Sequence, residues 1–122
     1  MKKVEAIIRP ERLQYVQDAL DALGVSGLTV TEVVGCGRQK GYTEQYRGAR
    51  ANISLLHKIK VEAVVPSDVV EPAVDAIVSS ARTGEEGDGR VFVIPIEESI
   101  RIRTGERGEE SVRHETPAGW GH

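Results

Sequence analysis

The chain has 122 residues, 16 basic and 19 acidic side chains, a net charge of −3 and one cysteine. That length suits one domain, the charge argues against general nucleic-acid binding, which needs a basic field, and a single thiol excludes an intrachain disulfide. No apolar run is long enough to span a bilayer, and the opening MKKVE reads into a strand rather than a signal peptide, so a soluble cytoplasmic protein is expected.

Residues 3–9, KVEAIIR, place Val4, Ala6 and Ile8 on one face and Glu5 and Ile7 on the other. Pro10 suits the first turn of a helix. Leu13, Val16, Leu20 and Leu23 then make one amphipathic stripe, which Gly24 closes as a left-handed cap. A second strand, rich in β-branched residues, is predicted over 28–34. The chain next breaks into Gly35-Cys36-Gly37-Arg38-Gln39-Lys40-Gly41, backbone suited to approach a ligand and offer N–H groups to an anion. Residues 42–52 are polar and basic without a hydrophobic period. Such a connection far exceeds a hairpin turn, and loops of this length in compact domains are usually functional.

The pattern then recurs. Residues 56–65 read as a long strand, with Ile59, Val61, Ala63 and Val65 on one face. Pro66-Ser67-Asp68 opens a helix, Asp68 and Glu71 have capping-box spacing, and Val69, Val70, Ala73, Val74 and Ile77 form its apolar side. Pro72 lies near the first turn, where proline does least harm. Residues 83–90, TGEEGDGR, form a second glycine-rich loop before a closing strand at 91–96. Two strand-helix-strand units in series predict an α+β ferredoxin-like βαββαβ sandwich, its antiparallel sheet covered on one face by two helices. Ile7 and Ile94 on the other face call for a partner, most simply another copy of the chain. Arg101 and Arg103 alternate with Ile100 and Ile102, which predicts a short strand with both arginines on one side. The expected organisation is a domain over 1–108 and a polar, flexible tail over 109–122, with Trp120 an isolated exposed aromatic.

Three separated segments carry glycine backbone or guanidinium donors, the equipment for a polyphosphate: Gly37-Arg38-Gln39-Lys40, residues 84–90, and Arg101 with Arg103. The last two are weak alone, since G-x-x-G-x-G also makes a tight turn and alternating arginines also mark a solvated strand; the first is stronger, and the weight lies in the combination. No Walker A motif occurs. The Gln39 amide adds a neutral ligand for a hard cation. His57, His114 and His122 lack metal-ligand spacing, and His57 reads as a solvated edge residue. Cys36 reads as a small packed residue, with a thiolate favoured by Arg38 and Lys40 as the alternative. Asp88 and Glu86 are the carboxylates nearest the expected phosphate, and neither has a histidine beside it.

The stretches KKVEAIIRP, LTVTEVVGCGRQKGYTEQYRGA, KIKVEAVVP, ARTGEEGDGRVFV and IRIRTGERGE resemble the PII signal-transduction proteins, trimeric nucleotide sensors of bacterial nitrogen control. The resemblance runs in order to about residue 109. It implies a homotrimer with ATP or ADP, and AMP as a third candidate, in clefts between subunits. Ile7, Thr29, Gly35, Gly37, Arg38, Gln39 and Val64 would line the cleft. Gly87, Asp88, Gly89 and Arg90 would hold phosphates, with Arg101 and Arg103 reaching in from the adjacent chain. Gln39 would help hold Mg²⁺, through which 2-oxoglutarate binds, with Lys40 and Gly41 beside it and Lys58 at its carboxylate. The long loop matches the family's T-loop, so Tyr42, Glu44, Tyr46, Arg47, Arg50 and Asn52 are the expected partner-docking residues.

Departures accompany the likeness. Ala49 and Ala51 stand where relatives carry a phosphorylated serine and a modifiable tyrosine, so covalent switching there is excluded. Arg50 replaces a usual acidic residue and Arg90 a usual lysine. Glu11, Cys36 and Glu86 stand at positions that are usually large and apolar, and Glu86 sets a negative charge facing the expected 2-oxoglutarate. The implied protein is a divergent PII-like paralogue: a non-enzymatic sensor acting on an unidentified transporter or enzyme. The alternatives are a sensor of bicarbonate or a metal, tied to another transporter or to carbon machinery, and a slow nucleotide hydrolase.

Overall fold

A computed structural model describes residues 1–25, 27–38 and 53–113, with backbone only at 37, 38, 53 and 54. Alternation builds the first strand, β1 (Lys2–Ile8): Val4, Ala6 and Ile8 are buried, and Lys3, Glu5 and Ile7 turn to the opposite face. Helix α1 (Leu13–Asp21) buries Val16 and Leu20. Its end is closed as its glycine predicts. Gly24 has φ 83°, its N–H donates to the Asp21 carbonyl (2.9 Å), and the Val25 N–H reaches back to that of Leu20 (3.0 Å). Leu23, expected in the stripe, lies beyond the helix and is exposed.

Strand β2 (Thr29–Arg38) pairs with β3 (Ile53–Val65), helix α2 (Val70–Ala81) follows, and β4 (Arg90–Pro95) closes the sheet. The order is β2-β3-β1-β4, every neighbouring pair antiparallel. This is the ferredoxin-like arrangement, with both helices on one face. Register Val4↔Ala63, Ala6↔Val61 and Ile8↔Ile59 brings two buried rows side by side under Val16, Leu20, Ala73 and Ile77. Each large aliphatic side chain buried here stabilises the fold by roughly 1.5–3 kcal/mol.

Several local expectations fail for physical reasons. β2 does not break at Gly35 but continues to Arg38. β3 starts at Ile53, so Gly35↔Leu56, Gly37↔Ser54 and Arg38↔Ile53 supply the ladder that glycine alone does not favour. Both helices open with 3₁₀ turns, Pro10–Arg12 and Ser67–Val69, as helix N-termini often do. The capping box does not form. Asp68 pairs with Arg113 (3.0 Å), and the Ser67 N–H is capped by Glu109 Oε1 (2.9 Å) from far along the chain. The strand expected at Arg101 and Arg103 is a turn, because Gly105 (φ 77°) folds the chain back: the Arg101 N–H donates to the Glu106 carbonyl (2.9 Å) and the Gly105 N–H to that of Arg101 (2.7 Å). Farther on, Gly108–Val112 form a 3₁₀ turn that Glu109 ties to Ser67.

The uncovered face is mixed rather than apolar. Lys3 Nζ sits between Glu62 (2.9 Å) and Glu5 (3.4 Å) at its centre, ringed by Ile7, Val64, Phe92 and Ile94. The Glu62 hydrogen bond raises the Lys3 ammonium above its ordinary value and lowers the Glu62 carboxyl in return.

Candidate functional site

The glycine-rich loop after α2 is organised by one carboxylate. Asp88 accepts from the N–H groups of Thr83 (2.9 Å) and Gly84 (2.8 Å), from the Thr83 hydroxyl, and from Arg9 Nε (2.9 Å). The Thr83 hydroxyl and then the Arg9 guanidinium hold this carboxyl far below the usual range. Arg9 Nη2 also donates to the Glu86 carbonyl (2.6 Å), and Lys58 Nζ to that of Gly87. Gly89 (φ 104°) presses on β1 so closely that an added Cβ would lie 1.8 Å from the Ile7 oxygen. Ile7, Asp88, Gly89 and Arg90 thus line one groove of about 410 Å³, floored by Val74 and Ile77 of α2.

A larger cleft, about 800 Å³, lies at the other end of the sheet. Thr29, Val64 and Arg101 line it together with Lys3, Glu62 and Arg113. At about 3.3 Å per residue, β3 from Lys58 to Val64 spans roughly 20 Å. The chain therefore sorts the expected ligand residues into two groups. Ile7, Lys58 and Gly87 to Arg90 stand at one end; Thr29, Val64 and Arg101 stand at the other. Arg103 is exposed on the turn beside Arg101. Gly35 lies on β2 opposite Leu56, near the first group, and the strand ends with Gly37 and Arg38.

The remaining expected residues, Gln39, Lys40, Gly41, Tyr42, Glu44, Tyr46, Arg47, Arg50 and Asn52, lie outside the described residues, as do Ala49, Ala51, His114, Trp120 and His122. His57 is exposed on the paired arm of β2 and β3, as expected of a solvated edge residue, whereas Cys36, expected to pack, is exposed there too. Among the described residues no three His, Cys, Asp or Glu side chains cluster to hold a metal. No helix there is long and apolar enough to cross a membrane. Sequence reading overlooked Arg9. The signal was available: continuing the β1 alternation past Ile8 sets Arg9 on the face of Ile7, and Ile7 pairs with Arg90.

Four antiparallel strands in this order, backed by two helices, with a glycine-rich loop at one end and an arginine-lined cleft at the other, define a ferredoxin-like α+β domain. The chain belongs to the nitrogen regulatory protein P-II family, whose model matches residues 1–106. It is 58% identical over 112 residues to a nitrogen regulatory protein P-II of Cereibacter sphaeroides, covering 92% of this chain and 100% of that one. It is 51% identical over 112 residues, with the same coverage, to nitrogen regulatory protein P-II 1 of Escherichia coli. Among solved structures, Arabidopsis thaliana PII bound to citrate superposes with a TM-score of 0.76 at 40% identity, covering 95% of this chain and 93% of that one. A regulatory signalling role follows from family membership.

Proposed function

We propose that this chain is a non-enzymatic sensor that binds ATP or ADP in sites shared by neighbouring copies of a homotrimer, and that it controls a partner protein in the cytoplasm through the loop at 39–52. The observation that carries this reading is the separation of the two groups. The 87–90 loop and Arg101 stand in separate clefts at opposite ends of the sheet, an arrangement in which two adjacent copies can supply one group each to a shared site. The loop is braced within its own chain by Asp88, Arg9, Lys58 and Gly89, so little ordering cost remains for binding. Arg90, Arg101 and Arg103 would provide charge-assisted bonds to phosphate oxygens.

The same geometry disfavours a hydrolase. Asp88 is committed to four donors and held strongly acidic, which makes it a poor general base. For a second ligand, Lys58 stands beside the phosphate loop as a cation for a small carboxylate. In this reading Gln39 would hold Mg²⁺, and Lys40 and Gly41 would complete the pocket. The Arabidopsis relative was solved bound to citrate; 2-oxoglutarate and bicarbonate are the ligands to try here.

The test is calorimetry with ATP, ADP and AMP, then with 2-oxoglutarate or bicarbonate in the presence of Mg-ATP, paired with a phosphate-release assay. Saturable ATP and ADP binding without phosphate release is expected. Absence of nucleotide binding, or steady turnover, would overturn the reading.

A further inference from the structure

We propose that residues 106–113 act as an autoinhibitory strap that occupies the Arg101 guanidinium until nucleotide phosphate displaces it. This rests on the nucleotide reading above and adds a layer of regulation to it. Arg101 Nη1 pairs with the Glu106 carboxylate, and Nη2 donates to the carbonyls of Arg113 (3.0 Å) and Glu110 (3.2 Å). The side chain is only 18% exposed. A guanidinium has five N–H donors in one plane, and phosphate asks for the same fork. Strap and phosphate therefore compete for one set of donors.

The strap is fastened at points away from Arg101. Glu109 takes the Ser67 N–H (2.9 Å) and hydroxyl (2.5 Å) at the start of α2. Arg113 pairs with Asp68 (3.0 Å), and the Ser111 hydroxyl donates to the Ser99 carbonyl (3.1 Å). Ser111, Val112 and Arg113 also line the cleft that holds Thr29, Val64 and Arg101, so the segment walls the very site it restrains. Release is feasible because the Glu106 side chain is 45% exposed, and solvent-screened pairs hold weakly. A polyphosphate brings more charge to the guanidinium than one carboxylate does. The strap thus raises the concentration at which the sensor fills, and it should discriminate most against AMP, which brings a single phosphate.

The experiment compares the full-length chain with Glu106→Gln, which keeps size and removes the charge. ADP affinity by calorimetry is expected to rise about two- to fivefold in the variant, the scale of an exposed ion pair. Amide exchange at residues 106–113 of the unaltered chain is expected to accelerate at saturating ADP. ADP binding by the unaltered chain with equal or weaker affinity in Glu106→Gln would overturn the strap alone, since Glu106 would then be aiming Arg101 rather than restraining it. Slower or unchanged exchange on ADP binding would also count against it. Failure of both chains to bind ADP would overturn the nucleotide reading and the strap with it.

Discussion

Replacing Gly89 by alanine would add a Cβ 1.8 Å from the Ile7 carbonyl oxygen and 2.9 Å from its carbon. Both atoms are backbone of the central strand β1 and cannot rotate aside. The residue also sits at φ 104°, which L side chains rarely adopt. The dihedral strain alone costs about 1–3 kcal/mol. Relieving the collision must move β4 from β1 where Ile7 faces Arg90, at a cost of about 1 kcal/mol for a weakened ladder bond. The sum, about 2–4 kcal/mol, is a large share of a typical domain stability. It should lower the thermal midpoint by roughly 10 °C for a domain of this size. Gly84→Ala is the control: its φ is 93°, but no atom lies within 4 Å of the added Cβ, so it carries strain without collision. Circular dichroism melts at one fixed protein concentration would compare the two, because oligomer stability depends on concentration. Gly89→Ala should melt several degrees below Gly84→Ala. Equal midpoints would show that the loop is not wedged against β1 and that the close approach does not shape the site.

Leu20→Ala should cost about 2–5 kcal/mol, since Leu20 is 1% exposed beneath the sheet, and a urea titration giving less than 1 kcal/mol would contradict that packing. Glu109 is lowered from 4.5 to about 2, chiefly by its bond to the N-terminal amine and then by Ser67. Its stabilising effect should be complete above about pH 4.5 and vanish as pH falls toward 2. The gap in urea midpoint between the unaltered chain and Glu109→Gln should therefore close over that window, and a gap that persists at pH 2 would refute the pairing. Lys58→Ala should speed amide exchange at residues 84–89 by removing the bond to the Gly87 carbonyl, and unchanged exchange would show that Lys58 does not brace the loop.

What could be read from the residues was decided by local period and by glycine. The Val4-Ala6-Ile8 and Ile59-to-Val65 alternations fixed the two central strands, and Gly24 marked the end of α1, because those choices depend on neighbours a few residues away. The misreadings share a different cause. Asp68 had capping-box spacing, but its partner Arg113 and the substitute cap Glu109 arrive from the far end of the chain. Gly35 and Gly37 look like a break, yet β3 residues much farther along the chain hold them in the ladder. The arginine alternation suggested a strand until Gly105 turned it back on Glu106. The resemblance set Arg101 and Arg103 apart from the other expected ligand residues, but not Thr29 and Val64 beside Arg101, because that grouping depends on which end of the sheet each residue occupies. The β1 alternation gave the face of Arg9, but its partners, Asp88 and the Glu86 carbonyl, come from a loop nearly eighty residues away.

The claim that each site is shared between copies is tested most directly by complementation. Arg90→Ala damages the loop group and leaves Arg101 intact; Arg101→Ala does the reverse. Each variant alone should bind ADP weakly. Unfolded together and refolded as mixed trimers, they should recover tight binding at about a quarter of the sites, the fraction expected when an intact loop meets an intact arginine at random across a cyclic interface. A mixture whose ADP titration equals the average of its two parents would contradict the shared site and place nucleotide binding within a single chain.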